Sequence, residues 1–189
     1  AIKRVGVLTS GGDASGMNAA VRAVVRTALD RGLEIFGIYE GFCGLIEGGD
    51  RIRPMTWNSV GGIIHRGGTI IGTSRSEEFA TRGGRLCAVR TLLAAGIDSL
   101  IVIGGDGSLT GAEVFRQEWA SLLAEVGADR AVETEVAASR RRLTVGGRTG
   151  SISNNLQASH RTNVAGTTRD HPDGPSTTSR TPQSAAHAA

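Results

Sequence analysis

The sequence predicts an α/β protein with a doubly wound, mostly parallel sheet. Three observations predict this fold class. Short runs of β-branched and other apolar residues recur along the chain, stretches with apolar residues at helical spacing alternate with them, and glycine-rich turns separate the two. This alternation is typical of parallel strands joined by helices that cover the sheet.

The first part of the chain contains two predicted strands and one predicted helix. Residues 5–9 form a short apolar run that predicts a buried strand, and residues 10–16 form a glycine-rich turn. Apolar residues then recur at helical spacing over residues 17–30, and Gly32 is the signal that ends this helix. A second strand is predicted at residues 34–39.

The segment 41–68 is rich in glycine, and within it we place Trp57 on a short helix. A second amphipathic helix is predicted at residues 82–95, and Gly96 ends it. Residues 99–103 then have the sequence SLIVI. This short β-branched run predicts a third strand.

The last predicted helix follows a turn at residues 104–107 and runs from residue 108 to about residue 126. Residues 143–145 are a candidate for one more strand. All seven aromatic residues precede residue 120, and residues 158–189 contain almost no large apolar side chain. Such a composition cannot offset the entropy of ordering the chain, so we expect the C-terminal extension to be disordered.

Composition argues against several classes of protein. The net charge is +3, yet Lys3 is the only lysine and the arginines are scattered, which favours a solvated surface over a nucleic-acid interface. The two cysteines, Cys43 and Cys87, lack metal-ligand spacing, and we expect reduced thiols in a cytoplasmic protein. No apolar run approaches the roughly 20 residues of a membrane span, so we expect no membrane partner.

Two glycine-rich turns, at residues 10–18 and 104–108, each follow a predicted strand and precede a predicted helix. A helix N-terminus presents free N–H donors and a partial positive charge, so both turns suit a phosphate group. The carboxylate of Asp106 in the second turn would repel phosphate unless a cation lay between them, and we assign Asp106 to Mg²⁺. Glycine at such corners can also serve packing alone, and that alternative stays open. Neither turn matches the GxxxxGK[ST] or GxGxxG pattern.

Three segments closely resemble the ATP-dependent 6-phosphofructokinase family, in particular its eukaryotic and fungal-like branch. Residues 5–26 have the sequence VGVLTSGGDASGMNAAVRAVVR, residues 67–85 have GGTIIGTSRSEEFATRGGR, and residues 103–112 have IGGDGSLTGA. The resemblance covers roughly residues 2–126. It implies the family fold, ATP as the phosphoryl donor and Mg²⁺ as the cofactor.

The resemblance also implies an ATP site. The matching positions are Gly12, Arg75, Ser76, Gly105, Asp106, Gly107 and Ser108. Asp106 matches the position that holds Mg²⁺ in the family. Phe42 lies where the family often has an aromatic residue beside the nucleotide, although a role in the core is equally open. Relatives that use pyrophosphate typically carry Asp and Lys where this chain has Gly107 and Gly150, so both glycines favour ATP.

The acceptor half of the family pattern is altered in this chain. Residues 150–155 have the sequence GSISNN, whereas the family has Gly-Ser/Thr-Ile-Asp-Asn-Asp, whose first Asp is the general base for the sugar hydroxyl. Ser153 occupies that catalytic position, and Ser151 and Ser153 match substrate-binding positions for fructose 6-phosphate. A serine hydroxyl cannot accept this proton near neutral pH, and losing a general base costs about 10²- to 10⁴-fold in rate.

We therefore expect an ATP-binding domain at residues 1–126, a degraded continuation with the GSISNN remnant at 127–156, and a disordered tail at 157–189. The activity implied is ATP-dependent phosphorylation of fructose 6-phosphate to fructose 1,6-bisphosphate in glycolysis, with this chain truncated and inactive alone. The alternative is a non-catalytic nucleotide-binding subunit that modulates full-length phosphofructokinase. We expect a homo-oligomer or an association with full-length chains. A kinase of nucleotide cofactors is disfavoured by the motif at residues 10–18.

Overall fold

The computed structural model describes residues 2–129 and 144–149, and the side chains of residues 2–127. It contains one sheet with the strand order β3-β2-β1-β4-β5. The strands are β1 (Arg4–Ser10), β2 (Glu34–Ile38), β3 (Ile52–Pro54), β4 (Ser99–Gly104) and β5 (Thr144–Thr149). The β1–β2, β1–β4 and β4–β5 pairs are parallel, and β3 pairs antiparallel with β2. The predicted mostly parallel sheet is confirmed.

Helices lie on both faces of this sheet. They are α1 (Met17–Asp30), α2 (Gly41–Glu47), α3 (Glu77–Ala80), α4 (Arg82–Ala95) and α5 (Asp106–Asp129). On one face Val7 of β1 belongs to a buried cluster that includes Val21 and Val25 of α1. On the other face Leu8 belongs to a cluster that includes Leu92 of α4 and Phe115 of α5. Successive residues of a strand point to opposite faces, so the apolar side chains of β1 pack into the hydrophobic clusters on both faces of the sheet.

The ends of α1 and α4 agree with the sequence prediction because their capping signals are local. The chain leaves α1 through Arg31 and then Gly32, which has a φ of 69°. Helix α4 begins after Thr81, whose hydroxyl oxygen accepts a hydrogen bond from the backbone N–H of Gly84. It ends at Gly96, which has a φ of 72°. Glycine reaches this left-handed region without steric cost.

The segment at residues 41–68 contains elements that the sequence did not predict. Helix α2 has seven residues, and two of them are the helix-disfavouring Gly41 and Gly44. Gly44 is required by packing, because a side chain there would overlap the carbonyl oxygen of Tyr39. The short helix predicted at Trp57 is a 3₁₀ turn at Asn58–Val60, which Trp57 immediately precedes.

The last two elements extend past the limits predicted for them. Helix α5 begins at Asp106, two residues earlier than predicted, and continues to Asp129. Strand β5 includes two residues of the predicted strand at 143–145 and lies in the segment assigned as a degraded continuation. The division into 1–126, 127–156 and 157–189 remains a prediction, and the tail lies outside the described residues. Among the described residues, no helix is both long enough and apolar enough to cross a membrane.

Four aromatic side chains form a continuous row through the core on the α2, α3 and α5 side. The rings of Phe42 and Phe79 are stacked, with centroids 3.9 Å apart and planes inclined by 14°. Phe79 contacts Phe115 at 5.4 Å, and Phe115 contacts Trp119 edge-on at 5.6 Å. All four residues are buried. The row therefore links three helices that come from separate parts of the chain.

We expect Phe115→Ala to lower the free energy of unfolding by about 3–5 kcal/mol, because Phe115 is fully buried at the centre of this row. Urea unfolding of the purified chain measures the change. Arg116→Ala is the control, since Arg116 is exposed and its ion pair with Glu113 is worth at most about 1 kcal/mol. Equal losses for the two variants would contradict the assignment of the aromatic row to the core.

Candidate functional site

A cavity of about 730 Å³ lies where β1 and β4 end. These adjacent parallel strands finish at Ser10 and Gly104 at the same edge of the sheet. The chain continues from β1 to β2 on one side and reaches β4 on the other side, so the strand order reverses here. Ligands of doubly wound sheets bind in the crevice at such a reversal. The topology alone therefore predicts a binding site at this position.

All seven residues that the sequence predicted for nucleotide binding line this cavity. They are Gly12, Arg75, Ser76, Gly105, Asp106, Gly107 and Ser108. They come from three separate segments, namely the turn after β1, the loop before α3, and the stretch from Gly105 through the first turn of α5. The predicted acceptor residues Ser151 and Ser153, together with Gly150, lie outside the described residues.

The two glycine-rich turns pack directly against each other. The hydroxyl of Ser108 donates a hydrogen bond to the hydroxyl oxygen of Ser10 over 3.1 Å, and both residues are buried. A Cβ atom on Gly104 would lie 2.5 Å from the carbonyl oxygen of Ser10. Gly11 has a φ of 94°, and a Cβ atom there would lie 3.2 Å from Ser108 Oγ. Gly11 and Gly104 are thus required by the fold itself.

Three other glycines of these turns have no such packing role. A Cβ atom on Gly12, Gly105 or Gly107 would have no neighbouring atom within 4 Å, and none of the three has the left-handed φ that favours glycine. All three line the cavity. The absent side chains leave the backbone N–H groups open to a ligand. The structure therefore separates glycines whose Cβ position is crowded or strained from glycines whose Cβ position is open, which the sequence could not do.

The N-terminus of α5 faces the cavity through its first residues. The backbone N–H of Leu109 donates to the carbonyl of Gly105, so the N–H groups of the preceding residues lack intrahelical acceptors. Asp106 is exposed in this turn. Among the described residues, no group of three or more His, Cys, Asp and Glu side chains could enclose a metal ion. A single carboxylate still suits Mg²⁺, which binds one or two carboxylates together with substrate phosphates.

The loop before α3 is held in place by hydrogen bonds from its side chains. Thr73 Oγ1 donates to the carbonyl of Gly11 over 2.9 Å, and Ser74 Oγ donates to the carbonyl of Glu40 over 2.8 Å. Ser76 Oγ accepts from the backbone N–H of Phe79 and so caps α3. The side chain of Arg75 is exposed. This arrangement places Ser76 as a structural cap that also lines the cavity, with Arg75 free to turn towards a ligand.

One wall of the cavity is apolar. Phe42 is 95% buried and stacks on Phe79, and both rings also line the cavity, so Phe42 belongs to the core and borders the cavity at once. Its contact with a nucleotide stays a prediction. Ala80 and Val114 continue this wall. Sequence reasoning did not single out Arg85, which lines the cavity as well. No local pattern marks Arg85, because its partners lie on other elements.

Comparison with known proteins agrees with these observations. A family model described as phosphofructokinase matches residues 4–167, which continues past residue 126 where the motif resemblance stopped. The chain is 52% identical over 154 residues to the ATP-dependent 6-phosphofructokinase of Yarrowia lipolytica, covering 82% of this chain and 16% of that protein. It is 49% identical over 160 residues to the ATP-dependent 6-phosphofructokinase subunit alpha of Kluyveromyces lactis, covering 85% and 16%. The chain thus spans less than a fifth of the length of these relatives.

A solved structure gives the same result for the fold. The structure of phosphofructokinase from Saccharomyces cerevisiae superimposes with a TM-score of 0.76 at 50% sequence identity. The match covers 79% of this chain and 20% of the yeast chain.

We expect Gly104→Ala and Gly105→Ala to differ sharply in stability although the two residues are adjacent. The Gly104 variant should lose about 1–3 kcal/mol in the free energy of unfolding because its methyl group meets the Ser10 carbonyl. The Gly105 variant should stay within about 0.5 kcal/mol of the parent chain. Urea unfolding of both proteins measures the difference. Similar stability of the two variants would refute the distinction between crowded and open glycine positions.

Proposed function

Because this chain belongs to the phosphofructokinase family, we propose that its described part is the ATP-binding half of an ATP-dependent 6-phosphofructokinase. One observation carries the proposal. The seven residues that the family resemblance implies for ATP come from three distant segments, and all of them line one cavity at the reversal of strand order.

The chemistry of the cavity suits a ligand with a polyanionic end and an aromatic end. Its polar part has the exposed backbone of Gly12, Gly105 and Gly107 and the N-terminus of α5. Its apolar part lies beside Phe42 and Phe79, next to the second turn of α5. A volume of about 730 Å³ falls within the usual range of small-molecule sites, roughly 300–1,000 Å³. Adenosine triphosphate has both ends.

In this proposal the chain orients the phosphoryl donor. Backbone N–H groups of the two turns and the N-terminus of α5 hold the phosphates in line for transfer. Asp106 would hold Mg²⁺, which neutralises charge on the phosphates when it is bound. The acceptor is fructose 6-phosphate, whose hydroxyl would receive the γ-phosphoryl group. In the family an Asp takes the proton of this hydroxyl, and this chain has Ser153 at that position.

The lining of the cavity also supports ATP over pyrophosphate as the donor. The Cβ position of Gly107 faces open space, so a longer residue there would extend away from the protein at the cavity wall. A pyrophosphate-using relative fills this position with Asp, as the family resemblance implies. The glycine leaves that volume to the nucleotide. Gly150, the second position of this kind, lies outside the described residues.

A second candidate function is a non-catalytic nucleotide-binding subunit that modulates full-length phosphofructokinase. It is favoured by the combination of an intact donor cavity with Ser153 at the base position. The Kluyveromyces lactis relative is named as an alpha subunit, which supports assembly with other phosphofructokinase chains. Association in the cytoplasm with such chains or with copies of itself is part of this proposal. Co-purification with a full-length phosphofructokinase distinguishes this function from the first.

We expect the chain to bind ATP in a Mg²⁺-dependent manner, and we expect Asp106→Asn to remove that dependence while the protein stays folded. Calorimetric titration with ATP, in the presence of Mg²⁺ and then of a chelator, measures both effects. Glu125→Gln is the control because Glu125 is an exposed carboxylate on α5 that pairs with Arg82. Unchanged affinity of the Asp106 variant for MgATP would show that Asp106 does not hold the metal ion.

We expect the 189-residue chain by itself to give no useful turnover of fructose 6-phosphate, because Ser153 cannot act as the general base. Loss of the base alone corresponds to a factor of about 10² to 10⁴ in rate. A coupled assay for fructose 1,6-bisphosphate, on protein purified free of host enzyme, measures the rate. Turnover at about 1–100 s⁻¹, the range typical of kinases, would contradict this expectation.

A further inference from the structure

Arg85, on the first half of α4, is the only buried charged residue among residues 2–127. Its guanidinium forms a two-pronged ion pair with Glu118 of α5, with Nε donating to Oε2 over 2.8 Å and Nη2 donating to Oε1 over 3.2 Å. Arg85 Nη1 donates to the carbonyl oxygens of Phe79 and Ala80 over 3.1 Å and 2.7 Å. The side chain thus joins α3, α4 and α5 at the wall of the cavity.

We propose that the Arg85–Glu118 pair is a positioning device that sets the aromatic wall of the cavity, and so determines affinity for the nucleoside part of the ligand. This inference rests on the proposed ATP-binding function.

The guanidinium of Arg85 is almost fully occupied by protein partners. Four of its five N–H donors have protein acceptors, and its side chain is only 10% exposed. The charge of Arg85 is also balanced by Glu118. A group so committed serves to hold protein elements together and is poorly placed to bind phosphate. Arg75, which is exposed on the same cavity, is the better candidate for a direct contact.

The Arg85–Glu118 pair holds the short helix α3 in place. Helix α3 has only four residues, so it has little hydrogen bonding of its own. Its last two carbonyl groups, on Phe79 and Ala80, accept their bonds from Arg85. Both residues line the cavity, and the ring of Phe79 stacks on Phe42. The location of this wall therefore depends on where Glu118 holds the guanidinium.

The aromatic wall lies away from the turn that is proposed to bind phosphate. Phe79 lies 3.7 Å from the Cβ position of Gly111, five residues beyond Asp106 and so about 7.5 Å along α5 from the phosphate-binding turn. That turn is fixed separately, through Ser10 and Ser108, and the loop that carries Arg75 is held by the hydrogen bonds of Thr73 and Ser74. Loosening α3 should therefore disturb the nucleoside end of the site and spare the polyphosphate end.

The experiment compares Mg²⁺-ATP with Mg²⁺-tripolyphosphate, which lacks the nucleoside, by calorimetric titration of the full 189-residue chain. The test variants are Arg85→Lys, which keeps the charge but loses the planar fork, and Glu118→Gln. The controls are Glu125→Gln and Arg116→Lys, which alter exposed ion pairs that include neither α3 nor the Arg85–Glu118 pair. Amide exchange of Phe79 and Thr81 without ligand reports directly on the looseness of α3.

We expect each test variant to weaken ATP binding about tenfold, the effect of losing roughly one charge-assisted hydrogen bond, with tripolyphosphate binding changed by less than about twofold. Exchange at Phe79 and Thr81 should accelerate in the same variants, and the controls should change neither ligand nor exchange. An equal loss for both ligands, or unchanged ATP binding, would overturn the inference while leaving the proposed function intact. A parent chain that binds neither ligand would overturn the proposed function, and the inference would fall with it.

Discussion

The close approach of the turn after β1 to the turn after β4 determines the shape of the site. The strands are adjacent and parallel, so their ends arrive at one edge of the sheet, but their turns can meet only if one of them lacks a side chain. Gly104 meets this requirement beneath the carbonyl of Ser10, and the Ser108–Ser10 hydrogen bond joins the turns above it. With the turns in contact, the backbone of Gly11 and Gly12 and the N-terminus of α5 border the same volume. The proposed phosphate site would arise from this packing without any lysine in either turn.

The apolar wall couples the site to the core. Phe42 and Phe79 are members of the main buried cluster and also border the cavity. A substitution in either ring therefore changes core packing and the cavity wall together. The glycine backbone on the opposite side behaves differently, because changes at Gly105 or Gly107 meet no protein atom. The two halves of the cavity thus differ in how strongly binding is linked to folding.

The sequence predicted those parts of the fold that have local signals. Strands β1 and β4 are continuous apolar runs, and α1 and α4 have glycine stops, so their limits are close to those observed. Helices α2 and α3 were not predicted, because they are only seven and four residues long and are stabilised by packing against other elements. The family resemblance predicted the ATP positions, but it did not predict the roles of individual glycines. A glycine required by packing and a glycine that faces open space are the same letter in the sequence. Arg85 and Glu118 are 33 residues apart, and only the folded chain brings them together.

The pairing of β4 with β5 has a consequence for how the chain folds during synthesis. Strand β4 lies inside the finished sheet, yet its partner on one side consists of residues 144–149, which the ribosome delivers long after β4 itself. Until then β4 is an edge strand, apolar along its length and with unpaired N–H and C=O groups, and such edges recruit other strands. Parallel pairing across so many intervening residues is also slow to form. A nascent chain that has passed β4 but not yet β5 should accordingly be the species most prone to aggregation and most dependent on chaperones.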